Sequence, residues 1–200
     1  MNIATRTAAF CIILTLLAVP GKAAEFKSVY TSLNLDDCRP LTSEQEVEEN
    51  QGAEWVCAGH EGIAVWVGEG DLRYFLGYGP HGRDQCSYGQ TLGPFHSINT
   101  TIEWRLATKG GKTTPIATIL RYFIETDGQK AQYLVVTRVS DHQACHMAYI
   151  DAAQPQANRL AREVTDNFAD QFNCMQNTVF YYGVQGRSSN GPLGATSCPR

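Results

Sequence analysis

The chain has 200 residues, of which 43% are apolar and 18% charged, with 18 Gly, 8 Pro and 7 Cys. That mix excludes disordered, collagen-like and coiled-coil classes and bounds the answer to about one globular domain. A formal charge of −4 argues against a nucleic-acid protein, which needs a basic stripe to meet phosphates.

Residues 1–23 read as a secretory signal: Arg6 gives the positive start, Ala8 to Val19 the apolar run, Pro20 and Gly21 the break, and Ala23 the small residue before the cut. The run is shorter than the ~20 apolar residues a membrane helix needs, so no span is expected in the mature chain. Cleavage removes Arg6 and Lys22 and no acid, making the mature chain more acidic. It also leaves an even set of cysteines: Cys38, Cys57, Cys86, Cys145, Cys174 and Cys198. In an exported protein these form disulfides. Sequence alone leaves all pairings open. Proximity along the chain favours Cys38 with Cys57 and Cys145 with Cys174, leaving Cys86 for Cys198.

Glu25 to Asn50 shows little periodicity and ends in an acidic run, Glu44, Glu46, Glu48 and Glu49. Strands are predicted over Glu54 to Ala58, Gly62 to Val67 and Leu72 to Tyr78, with a hairpin turn at Gly68-Glu69-Gly70-Asp71. Gly77 to Ser97, rich in Gly and with two Pro, reads as a long loop of the kind often used functionally. A four-strand meander follows. Ile102, Trp104 and Leu106 alternate with Glu103 and Arg105, giving one buried and one wet face. Lys109-Gly110-Gly111-Lys112 turns the chain. Ile116 to Glu125 is the next strand, Asp127-Gly128 a type I′ turn signal, Tyr133 to Val139 the return, and Ala144 to Ile150 the last strand. Pro155 opens a helix toward Cys174 whose apolar face is Ala157, Leu160, Ala161, Val164, Phe168 and Phe172. The expected architecture is α+β: an antiparallel meander with N-terminal hairpin strands, covered on one face by a C-terminal amphipathic helix and braced by disulfides. Residues 24–174 make this single domain, and 175–200 form a tail that docks in part through Val179 to Tyr182.

The segments "EGDLRYFLGYGP", "TLGPFHSINTTIEWRL", "ATILRYF", "ACHMAYIDA" and "ANRLAREVTDNF" together resemble a family of exported alphaproteobacterial proteins with no assigned activity. The resemblance covers roughly residues 28 to 174. It implies a periplasmic setting and carries over no catalytic residue.

Four constellations could carry chemistry. Asp141, His142, Cys145 and His146 place a thiol beside imidazoles, but strand neighbours point to opposite faces and Cys145 is needed for a disulfide. His142 and His146 on a strand lie ~13 Å apart, too far to share a metal. Gly110-Gly111-Lys112-Thr113 resembles the end of a phosphate loop, yet Leu106 stands where that pattern requires Gly. The loop gathers Tyr78, His81, Arg83, Asp84, Tyr88, Phe95 and His96. There Tyr78, His81, Arg83 and Tyr88 could anchor a partner, while His81 with Asp84, or His96, could serve a hydrolase. The acidic segment would steer a basic protein toward itself, a basic cell-wall hydrolase among the possibilities. The leading expectation is a non-enzymatic, exported interaction or ligand-binding domain. Its partner would be another envelope protein or a small ligand, with no nucleic acid, cofactor or metal; the oligomeric state stays open. A periplasmic hydrolase is the alternative.

Overall fold

The computed structural model describes residues 24–50, 52–126, 128–140, 143–183 and 198. The predicted signal, Asp127, Asp141, His142 and most of the tail beyond Gly183 lie outside them. Half of the described residues are strand. Three layers stack as a helix, a large sheet and a small sheet.

The large sheet runs β1 (Glu25–Ser32), β7 (Thr101–Lys109), β8 (Lys112–Thr126), β9 (Gln129–Val139), β10 (Ala144–Asp151), β11 (Phe180–Tyr182). β6 (His96–Ile98) pairs with β8 on the edge that β7 also occupies. All pairings are antiparallel except β10 with β11. The small antiparallel sheet is β2 (Arg39–Pro40), β3 (Gly52–Ala58), β4 (Ala64–Gly70) and β5 (Arg73–Tyr78).

The β7 to β10 meander follows the period-two pattern. Ile102, Trp104 and Leu106 point to the small sheet, where they join Leu120, Tyr122, Val135 and Tyr149 against Val65, Val67, Leu76 and Tyr78. The opposite face carries Ile119, Leu134, Val136, Met147 and Ile150, and packs on Ala157, Ala161 and Val164 of the helix α3 (Ala157–Phe168). The α+β architecture with its single main helix is therefore present.

The polar face of β7 is not wet, as the alternation predicts, because α3 lies over it. Glu103 accepts hydrogen bonds from Arg162 Nε (2.5 Å) and Ser28 Oγ (2.6 Å). Arg105 meets Asp166 through two bonds, 2.7 and 2.6 Å. Such bidentate geometry fixes the angle of α3 as well as holding it.

Other boundaries move for local reasons. α3 starts at Ala157 rather than Pro155, since Gln156 takes a left-handed conformation (φ 57°). Phe172 lies beyond the helix but is buried against it. The unperiodic N-terminal stretch holds β1, β2 and α1 (Glu44–Asn50). α1 opens on a capping box: Glu46 N–H donates to Ser43 Oγ (3.3 Å), and Ser43 N–H to Glu46 Oε2 (2.8 Å). The bonds from Ser43 hold the Glu46 carboxyl below its ordinary range. The segment Phe180–Tyr182, expected to dock, does so as β11.

The disulfides join Cys38–Cys57, Cys86–Cys198 and Cys145–Cys174, the pairing that proximity favours. Cys145–Cys174 ties β10 to the segment after α3. Each bridge contributes ~2–4 kcal/mol by restricting the unfolded chain. Among the described residues no helix is long and apolar enough to cross a membrane.

Candidate functional site

The stretch 77–97 is not one long loop. β5 runs to Tyr78, a 3₁₀ turn covers Gly82–Asp84, α2 covers Cys86–Gly89, and β6 begins at His96. The turn and α2 fold back over the outer face of the small sheet. Two close approaches make this possible. A Cβ on Gly77 would lie 1.8 Å from the Gly82 carbonyl oxygen, and one on Gly82 would lie 2.1 Å from the Trp66 ring. Trp66 Nε1 then donates to the Gly79 carbonyl at 2.8 Å.

Beside this contact, Tyr88 rests over Gly68, where a Cβ would come within 2.5 Å of its hydroxyl. Tyr88 donates to Glu54 Oε1 (2.6 Å), and Arg83 pairs with Glu54 Oε2 (3.0 Å). Burial, then the Glu54 carboxylate, push the Tyr88 hydroxyl far above its ordinary pKa, so it stays a neutral donor. Two of the predicted anchors thus meet, but on each other's partner. Both Glu54 oxygens are engaged, and the trio clamps the segment to β3.

His81 and Asp84 are exposed. Their link is the backbone bond from Asp84 N–H to the His81 carbonyl (3.0 Å). Among the described residues no side-chain hydrogen bond or ion pair joins them, so the oriented base that the hydrolase reading requires is not assembled.

Two predicted site residues are corrected. Tyr78 is 3% exposed, because its register opposite Val65 turns it into the space between the sheets. It meets Trp104 edge-on at 5.8 Å, and burial pushes its hydroxyl up to about 12, with Thr118 and Thr137 opposing. It is a core residue and not a surface anchor. His96 is 6% exposed. Its Nε2 accepts from Tyr74 N–H (3.1 Å), which leaves Nδ1 to donate to the Pro94 carbonyl (2.8 Å). Burial lowers its pKa against those backbone bonds. A neutral imidazole that joins β5 to β6 is not a free base.

A second buried histidine was not legible as such. His146 is 1% exposed, with Nδ1 2.7 Å from the Tyr149 hydroxyl, and burial pushes its pKa down to about 3. Cys145, its neighbour, faces α3 in the disulfide to Cys174. Along the same edge of β10, Gln85 and Gln90 accept from the backbone N–H groups of Ala144 (2.8 Å) and His146 (2.7 Å) through their Oε1 atoms. These side chains stand in for a neighbouring strand where β11 does not reach. Among the described residues no group of three His, Cys, Asp or Glu side chains could hold a metal ion.

The β4–β5 turn adjoins this region. The register between Gly70 and Arg73 places Asp71 and Leu72 at its corner, both with positive φ (50° and 57°), two residues later than the glycine pattern predicts. This is type I′ backbone, which Asn-Gly adopts readily and a leucine adopts at a cost of roughly 1 kcal/mol. Leu72 is 62% exposed and Phe95 47%. They are brought together by the bond from His96 N–H to the Leu72 carbonyl (3.0 Å) and by Arg73, whose guanidinium lies 5.0 Å from the Phe95 ring centroid. Arg73 Nε also donates to the Gly93 carbonyl (2.7 Å). The two glycines of the sequence signal, Gly68 and Gly70, lie just before this corner.

No family model matches the chain, and neither a curated protein nor a solved structure matches it.

Proposed function

We propose that this chain is an exported interaction domain, held together by its disulfides and working through its surface rather than by catalysis. Three disulfides are typical of oxidising compartments. The leader-like residues 1–23 and the resemblance to exported alphaproteobacterial proteins are in keeping with a periplasmic setting. The observation that carries the non-catalytic part is the state of the titratable groups in 77–97. Arg83 and Tyr88 share Glu54, His96 spans two backbone groups, and His81 and Asp84 stand apart. Catalysis by acid and base needs a pair within reach of one another and of a substrate. Binding needs only displayed side chains, and large apolar ones stand exposed at Leu72 and Phe95.

The test combines fractionation, thiol counting and an activity screen on the protein from its native host. The expected result is a cleaved chain outside the cytoplasm, no reactive thiol among the six cysteines, and no turnover of ester, peptide or glycoside substrates. Free thiols in a cytoplasmic, uncleaved chain would overturn the setting. A hydrolytic activity lost in His81→Ala would overturn the non-enzymatic reading.

A further inference from the structure

The proposed interaction leaves open which surface meets the partner and what chemistry that partner has. The β4–β5 turn offers an answer. Leu72 is a large apolar side chain on a backbone that leucine rarely adopts, and it points away from the core. Among the described residues it belongs to neither core: the core residues of this hairpin are Val65, Val67, Leu76 and Tyr78. Phe95 beside it carries Arg73 on its face. Aromatic and arginine side chains are the residue types that carry most binding energy in interfaces.

The charge around this apolar pair is one-sided. Gly52, the first residue of β3, pairs with Gly70, so α1 enters the sheet at the same end as the turn. Its glutamates Glu44, Glu46, Glu48 and Glu49 are exposed. Burial, and then the nearby Glu69 carboxylate, raise the Tyr74 hydroxyl. The cations nearby are already spoken for: Arg73 pairs with Asp71, and Lys130 with Glu125 (3.5 Å), the residue whose N–H bonds the Phe95 carbonyl. Among the described residues the α1 glutamates and Glu69 have no ion-pair partner, so the unpaired charge at this end of the small sheet is negative. A convex turn of this kind fits a concavity, and the unpaired carboxylates fit lysine and arginine around it.

We propose that the Leu72–Phe95 tip seats in an apolar cleft of a basic protein, with α1 and Glu69 facing the cations that border the cleft. The inference rests on the interaction-domain reading and specifies its surface and its partner.

The experiment is photocrosslinking in the native host from the full chain, with benzoylphenylalanine placed singly at positions 72, 95, 83, 113 and 167. The captured protein is sequenced, purified and titrated against the unmodified chain. Capture from 72 and 95 of one basic protein is expected. Its affinity should fall about tenfold or more in Leu72→Asp and in Phe95→Ser, and by a similar factor when NaCl is raised from about 0.05 to 0.5 M. Thr113→Ala should leave it unchanged. Using two reporter positions guards against one of them disturbing the turn. Capture from 83, 113 or 167 but from neither 72 nor 95 would overturn the tip and keep the interaction reading. A neutral or acidic partner, or binding indifferent to salt, would overturn the partner chemistry alone. Capture from no position would overturn both readings.

Discussion

Glu103 and Trp104 are neighbours on β7 and belong to two different kinds of interior. On the helix side of the sheet, the packed aliphatic residues are fastened at the margin by Glu103–Arg162 and Arg105–Asp166. On the other side, Trp104 lies among aromatic rings and buried polar groups: Tyr78, Thr118, Thr137, His146 and Tyr149. One face is held by volume and paired charge, the other by ring packing around groups that must stay neutral. Their dependence on solution conditions should differ accordingly.

The largest effect is expected on the aromatic side. Trp104→Ala should cost ~3–5 kcal/mol, read as a lower midpoint in urea unfolding, since the ring is fully buried and contacts Tyr78. A cost below ~1 kcal/mol would mean that the two sheets are not packed through this residue. Next comes Asp166→Ala, which strands a mostly buried Arg105. Some access of solvent to the pair reduces the penalty to ~2–3 kcal/mol, and Asp166→Asn should restore part of it.

Acid should separate the two faces. His146 titrates at about 3 in the folded chain because it is buried, against ~6.5 when unfolded. Between those values the unfolded state binds more protons, so stability rises with pH. The contribution is complete above ~6.5 and is lost toward 3, at up to ~1.4 kcal/mol per pH unit. His96 is lowered as well and has the same sign. The difference in unfolding midpoint between about pH 7.5 and 4.5 should shrink in His146→Asn, whose amide can still meet Tyr149. An unchanged difference would locate the acid sensitivity elsewhere. The smallest effect is at the surface: Ser43→Ala removes the α1 cap and should cost ~1 kcal/mol, with the loss confined to hydrogen exchange in that helix.

The same contrast explains what could be read in advance. The helix-side face was legible, because Ala157, Ala161 and Val164 recur at helical spacing and the meander strands alternate. β1 was not, since polar side chains break up its inward-facing residues: beside Phe26 and Val29, Ser28 bonds Glu103, and Thr31 accepts from Trp104 Nε1 (2.8 Å). A strand that buries hydroxyls reads as a loop. Tyr78 follows Leu76 in the strand alternation and shares its buried face; counting it with the loop residues hid this, and its pairing opposite Val65 restores it to the core. The turn moved past its glycines because burying Val65, Val67 and Leu76 together fixes the register more strongly than local turn preference does. The clamp of Glu54, Arg83 and Tyr88 joins residues far apart in the chain, which no local pattern reveals. The capping box at Ser43 was present in the sequence as Ser-x-x-Glu, a signal that the acidic run obscured.

The glutamines along β10 have a further consequence. Gln85 and Gln90 flank Cys86, which the bridge to Cys198 tethers. Reduction would release that tether and loosen the two side chains that cover the strand's amides. An uncovered edge of this sort recruits other chains by hydrogen bonding. Under reducing conditions, then, the first failure of this protein should be aggregation through β10, before any general unfolding.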